Sequence, residues 1–319
     1  MVKLSLIVPA YNVQEYLSRC IDSLINQNID NYEVIIVNDG STDNTKELAE
    51  SYAERYLFIK CITQENKGLS GARNTGIRYV QGKYVMFIDS DDYIKSNSLK
   101  KMINVMDKEE LDIGVADFCY VDEKNNIYQN DSKPIKCDEV ISGRKFLKKS
   151  LEVKSPMMVW KSIYKKEFLI KNNLFFLEGY NHEDEHFMPL AYLNASRVKD
   201  IQMVFYYYYI NQNGISKKPS DFEKNSMDLI RICYLLKEES KNINDDVELK
   251  QLLQNYIVFL FLSSVYKGKL ITNKYSELVN CNFFLNMYLD KRNRLKVKMF
   301  KISKKLYYYV NFILKRVKR

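Results

Sequence analysis

Through the first 120 residues, short apolar runs alternate with helical spacings. Residues 4–8, LSLIV, predict a buried strand that Pro9 should end. Asn12, with Glu15 three positions on, predicts a helix cap. Val13, Tyr16, Leu17, Cys20, Ile21, Leu24 and Ile25 then form one apolar helical face. YEVIIV (Tyr32–Val37) predicts a second strand, FIKCIT (Phe58–Thr63) a third and KYVMFI (Lys83–Ile88) a fourth. Helices are expected between them, one from near Asp43 and one within LSGARNTGIRYVQG, closed by Gly82. This alternation implies an α/β class, a mostly parallel sheet with helices on both faces.

After residue 120 the pattern loosens. EKNNIYQNDSKP predicts a polar hairpin or loop, SGRKFLKKSLE a short helix, and MMVWKSIYKKEFLIKNNL another helical stretch. EGYNHEDEHFMPLAYL places an acidic cluster ahead of a helix, VFYYYYI predicts a strand, and from about Asp221 the chain reads as mostly helical. A first domain over 1–215 and a helical region over 216–319 are expected.

Ligands of such sheets sit beyond the carboxyl ends of the strands. The polar segments fall there: PAYN, NDGSTD, QENKGLSGARN and DSDD follow the four strands in turn. Neither a GxGxxG fingerprint nor a P-loop is present. The fourth segment, FIDSDDYI, crowds Asp89, Asp91 and Asp92 onto one strand end. Carboxylates this close raise one another's pKa, so a positive partner is expected. Hard oxygens on a short turn suit Mg²⁺ or Mn²⁺, with phosphate and water completing the shell. The plainer reading of Asp92 is a cap for a helix beginning near Ser96.

VPAYNVQEYLSRCIDSLINQ, EVIIVNDGSTDNT, NKGLSGARNTGI and GKYVMFIDSDD closely resemble, in order and spacing, the family-2 glycosyltransferases of the GT-A fold. VWKSIYKKEF and HEDEHF resemble the subset that builds bacterial capsule, exopolysaccharide and lipopolysaccharide. The resemblance covers about residues 1–215. It implies a GT-A, Rossmann-like mostly parallel sheet with a C-terminal helical extension. It also implies inverting transfer from a nucleotide diphosphate sugar, usually UDP-linked, to a lipid-linked saccharide. Carried over residue by residue, Pro9, Ala10 and Tyr11 resemble the wall around the base, and Asp39 the acceptor of the uracil N3–H. Asp89, with Ser90 beside it, resembles the ribose- or metal-linked carboxylate, and Asp91 the direct ligand of Mn²⁺ or Mg²⁺. Lys67 and Arg73 would add positive charge near the phosphates or hold the acidic turn. An inverting transfer needs a base to take the acceptor proton. The family places it in an ED pair, here Glu183–Asp184, with Asp184 the first choice. Plainer readings stand beside these: a surface lysine, a helix ion pair, and an acid-rich helix start favoured by the dipole. Trp160 and Lys161 are candidates for the acceptor cleft, and a sole tryptophan is as often a packing residue.

One departure concerns the metal. Many relatives supply a histidine downstream of the ED pair; this chain has only His182 and His186, and Gln212 stands in the expected region. Both histidines read as polar residues flanking the site.

Composition narrows the rest. With 46% apolar and 28% charged residues over 319 positions, the chain is globular rather than disordered. Six scattered cysteines without a CxxC pair suggest neither zinc nor a disulfide framework, and fit a reducing cytoplasm. No signal-peptide pattern is read at the N-terminus, and the longest apolar stretch, Tyr256–Tyr266, is too short to span a bilayer. Residues 291–319 hold twelve Lys/Arg and no acid, although the net charge of the whole chain is only +9. The body is therefore mildly acidic, which argues against nucleic acid as a partner. The tail reads as a basic amphipathic helix for an anionic membrane surface, placing the protein peripherally on the inner face of the cell membrane. A second function class is a non-catalytic nucleotide-sugar-binding assembly subunit. The joint presence of Asp89, Asp91 and Asp184 favours catalysis over it.

Overall fold

The computed structural model describes residues 1–130, 135, 137–210 and 221–317. They form two compact units, Met1–Gly179 with Phe187–Asn211, and Tyr180–His186 with Gln212–Arg319. The expected division at 215/216 lies outside the described residues, and Tyr180–His186 group with the second unit.

The first unit opens with β1 (Leu4–Ala10), α1 (Leu17–Ile25), β2 (Tyr32–Asp39), α2 (Thr45–Arg55), β3 (Ile59–Gln64), α3 (Gly68–Tyr79) and β4 (Tyr84–Phe87). It continues through β5 (Tyr93–Ile94), α4 (Leu99–Lys108), β6 (Ile113–Val121), β7 (Ile127–Gln129), α5 (Gly143–Val153), β8 (Ser162–Lys165) and α6 (Lys166–Lys171). Helix α7 (Asp184–Asn194) and strand β9 (Val198–Tyr209) follow. The sheet order is β3-β2-β1-β4-β8-β6-β9-β5, with β7 paired to β6. The first four strands are parallel, as expected, and β8 is antiparallel to both β4 and β6. Leu4, Leu6 and Val8 pack with Leu17, Ile21, Leu24, Val34 and Ile36 in one core. Helix α3 lies so close to the sheet that a Cβ on Gly76 would come within 2.4 Å of the Ile7 side chain.

Several local expectations are corrected. Pro9 does not end β1. Pairing with β2 continues to Ala10, opposite Asn38, whereas pairing with β4 stops at Ile7. The Ile7 carbonyl accepts from Ile88, so Ile7 faces β4; Pro9 has the same parity, and its missing N–H falls where no strand needs it. Asn12 does not cap α1. It sits at φ 50° and its Oδ1 accepts from the Thr42 N–H at 2.8 Å, while the helix begins four residues after the predicted start. The stretch 157–174 is not one helix. Its middle is β8, whose Ser162, Ile163 and Tyr164 are all fully buried between β4 and β6. Strand pairing on both sides outweighs local helical spacing there.

In the second unit, α8 (Phe222–Lys241) packs on α9 (Val247–Lys267), and α10 (Lys291–Ile302) and α11 (Lys304–Val317) follow. Phe261 stacks on Phe283 at 4.1 Å, and Phe300 meets Phe284 and Tyr307 edge-on. Asp290 caps α10 by accepting from Asn293 N–H at 2.7 Å. Extended backbone at Ser303 divides the basic tail into two helices rather than the single one expected. Among the described residues no helix is long and apolar enough to cross a membrane.

Candidate active site

The carboxyl ends of β1 and β2 are latched together. Asn12 N–H donates to Ser41 Oγ at 3.1 Å and Val13 N–H to Thr45 Oγ1 at 2.8 Å. Gly40, at φ +71°, lets this turn approach Asn66, whose backbone nitrogen would lie 2.9 Å from any Cβ there. Pro9 and Ala10 are buried in β1, and Tyr11 beside them is 45% exposed. Asp39, buried at the end of β2, accepts on Oδ1 from Gln64 Nε2 at 2.6 Å and from the Lys67 N–H at 2.9 Å. Thr75 Oγ1 donates to Gln64 Oε1 at 2.6 Å, which turns the Gln64 amide nitrogen toward Asp39. Lys67 thus contributes its backbone, and its side chain is exposed.

The positive partner expected for the acidic turn is Arg73. It is 1% exposed on α3, donates to Asp89 Oδ1 at 2.7 Å, and lies over the Phe176 ring. Asp89 is the partly exposed member of the pair, so the charge that truncation of its partner would strand in the interior is that of Arg73. A second cation, Arg19 on α1, donates to the Asp91 carbonyl at 2.7 Å and stacks over Tyr209 at 4.1 Å. Ser90 is buried, and Asp91 is partly exposed. Asp92 caps no helix. It points inward, accepting from Tyr206 Oη at 2.8 Å and Tyr209 N–H at 2.7 Å. Burial pushes its carboxyl well up, and Asp91 and Asp89 push the same way. The three carboxylates of the turn therefore have unlike surroundings.

Glu183 and Asp184 open α7 and belong to the second unit. Glu183 is buried, and Asp184 is the first helical residue. Burial pushes the imidazoles of His182 and His186 down, the latter to about 4, so both are neutral near pH 7. Gln212 lies outside the described residues. Among the described residues no three His, Cys, Asp or Glu side chains converge as a metal-binding group.

Residues 5–168 match the family described as Glycosyl transferase family 2. An uncharacterized glycosyltransferase of Escherichia coli K12, YibD, is 32% identical over 251 residues, covering 77% of this chain and 73% of its own. The chain belongs to glycosyltransferase family 2. It is a glycosyltransferase, and it spans 63% and 32% of the length of two further curated glycosyltransferases that it matches. Of solved structures, S. aureus TarS 1-349 in complex with UDP-GlcNAc is 21% identical with a TM-score of 0.67, covering 98% of this chain and 89% of that one. The mannosyltransferase PcManGT from Pyrobaculum calidifontis, in complex with GDP-Man and Mn²⁺, is 15% identical with a TM-score of 0.54, covering 96% and 84%. Both likenesses show the GT-A fold.

Two residues read as acceptor candidates of this glycosyltransferase are placed differently from the rest. Trp160 is 3% exposed, stacked on Tyr206 at 4.3 Å and edge-on to Phe118. Lys161 is buried and donates to Ser155 Oγ at 3.0 Å. Burial pushes its ammonium down to about 8, against the pull of Asp117 and Asp200. Neither side chain presents a broad face to solvent, because β6, β8 and β9 close around them. Arg19, Gln64 and Tyr206 escaped the sequence reading. Nothing in the pattern marked Arg19, which lies off the apolar face that Leu17, Cys20, Ile21 and Leu24 form on α1.

Proposed function

We propose that this family-2 glycosyltransferase moves a sugar, with inversion, from a UDP-sugar to a hydroxyl of a lipid-linked oligosaccharide in bacterial surface-polysaccharide synthesis. The observation that carries the donor side is Asp39. Its Oδ1 is taken by Gln64 and Lys67 N–H, which fixes the carboxylate so that Oδ2 can accept the uracil N3–H. Tyr11 supplies the exposed ring against the base, with Pro9 and Ala10 behind it. Asp89, pinned by Arg73, serves the ribose side, and Ser90 shapes the turn.

The donor set fits a divalent cation of the Mn²⁺ or Mg²⁺ kind. With Asp89 turned to Arg73 and Asp92 turned inward, Asp91 is the carboxylate assigned to hold it, Asp89 assisting, and a diphosphate and water would supply the other oxygens. Such an ion, when bound, offsets negative charge on a departing diphosphate. Lys67 adds positive charge beside it. Asp184, at a helix start where the dipole favours negative charge, takes the proton of the attacking acceptor hydroxyl, with Glu183 the second choice. Trp160 and Lys161 act on the acceptor side from behind the surface, through the strands that they support.

The basic tail suits a lipid-linked acceptor. On α10 and α11, Val297, Phe300 and Tyr307 are buried, whereas Ile302, Leu306, Tyr309, Ile313 and Leu314 are exposed among lysines and arginines. This face fits the headgroup layer of an anionic membrane, on its cytoplasmic side.

The test is a screen of the purified chain against UDP-glucose, UDP-galactose, their N-acetyl forms and GDP-mannose, with Mn²⁺ or Mg²⁺, reading nucleotide release. Release from a UDP-sugar, accelerated by a lipid-linked saccharide, is expected. Binding of a UDP-sugar with no release under any acceptor would favour the assembly-subunit reading.

A further inference from the structure

The acidic turn is tied to the end of β9 by contacts that no sequence motif marks. Tyr206 Oη donates to Asp92 Oδ2 at 2.8 Å and accepts from the Asp89 N–H at 3.1 Å. Tyr209 N–H donates to the other oxygen of Asp92 at 2.7 Å. Asp92 and Tyr206 are 1% and 0% exposed. The Tyr206 ring is fixed independently of its hydroxyl, because it stacks on Trp160 with the planes 17° apart. Beyond the turn, Tyr93 and Ile94 pair with Tyr207 and Tyr206 as a short antiparallel ladder. Arg19 closes the outer side, with its guanidinium on the Asp91 carbonyl and over the rings of Tyr209 and Tyr93.

The backbone is thus gripped on both sides of the Asp91 side chain: at the Asp89 N–H by Tyr206, and at the Asp91 carbonyl by Arg19. Three carboxylates within four residues repel one another, so an ungripped turn would spread. A site populated only part of the time binds in proportion to that population, and a gripped turn removes the loss. We propose that Tyr206 and Asp92 are positioning residues for the donor. They hold the turn so that the Asp91 carboxylate stands where a divalent cation and a diphosphate are taken up. Neither touches the donor; both act through the backbone of residues 89–91. The inference rests on the reading of Asp91 as the cation-binding carboxylate.

The test is calorimetry of UDP binding to the full chain, with and without Mn²⁺, alongside thermal unfolding. Tyr206→Phe deletes one oxygen and leaves the stacked ring. It is expected to lower the Mn²⁺-dependent gain in UDP affinity by about tenfold, the scale of one hydrogen bond, while metal-free UDP affinity stays as in the wild type. Asp92→Asn should lower the same gain, which keeps the test open should Tyr206→Phe not fold. Phe118→Leu, which loosens packing against Trp160 and leaves every hydrogen bond of the grip, should lower the melting temperature without lowering the gain. A wild-type gain in folded Tyr206→Phe and Asp92→Asn would overturn the inference. So would an equal loss in Phe118→Leu, which would make the effect one of general stability. Absence of any Mn²⁺ gain in the wild type would remove the reading of Asp91 itself, and this inference with it.

Discussion

Glu183, Asp184 and Glu185 are consecutive acids with different surroundings. Asp184 is assigned the proton transfer. Asp184→Asn is expected to bind donor nearly as the wild type does and to turn over roughly a hundredfold more slowly, the usual scale for loss of a general base. Turnover near the wild-type rate would move the role to Glu183. Glu185 is hydrogen-bonded by Tyr256, and burial pushes its carboxyl up to about 7. Its folded pKa lies above its unfolded value, so the folded state holds the proton more tightly. Its contribution to stability is complete below about pH 4.5 and falls, by at most about 1.4 kcal/mol per pH unit, as the pH rises toward 7. His186 works oppositely: its folded pKa of about 4 makes a contribution that is lost as pH falls. The comparison that isolates Glu185 is urea unfolding of Glu185→Gln against the wild type from pH 5 to 7. The stability of the variant relative to the wild type should rise across that window; a constant difference would contradict the assignment.

At the scale of elements, the tail carries its own prediction. Removing residues 291–319 outright would also strip Val297, Phe300 and Tyr307 from the packed face of the second unit. The cleaner variant replaces Leu306, Ile313 and Leu314 by Gln, since these are 43%, 59% and 55% exposed. It should release the protein from anionic vesicles in cosedimentation while leaving UDP binding unchanged, and wild-type binding itself should fall with added salt. Equal pelleting of both proteins at low salt would mean that this face is not the anchor. The elements also show what the sequence could yield. β1, β2 and β4 were legible because central parallel strands read as near-continuous apolar runs. β8 was not, being four residues long and specified by its neighbours rather than by its own pattern. β6 was hidden by Asp117, where the pairing with β9 shifts register at a bulge.

For the whole molecule, charge and chemistry were legible to unequal depth. Asp39, Asp89 and Asp91 stood out because they lie at or just after strand ends, where such sheets bind ligands, and Arg73 because the resemblance to family 2 pointed to it. Partners such as Gln64 and Tyr206 could not be found that way. They act across 25 and 114 residues of sequence, and only the folded sheet brings them to their carboxylates. Asp92 shows the same limit from the other side: a residue read as a helix cap became a buried acceptor once β9 closed over it. The central claim is that the first unit takes a UDP-sugar diphosphate together with a divalent cation at Asp91. The most direct measurement is calorimetric titration of UDP into the wild type and Asp91→Asn, each with and without Mn²⁺, with thermal unfolding to verify that both are folded. The account predicts that Mn²⁺ tightens UDP binding to the wild type and that the folded Asp91→Asn variant loses this gain. An Asp91→Asn variant that binds UDP with Mn²⁺ as tightly as the wild type would contradict it.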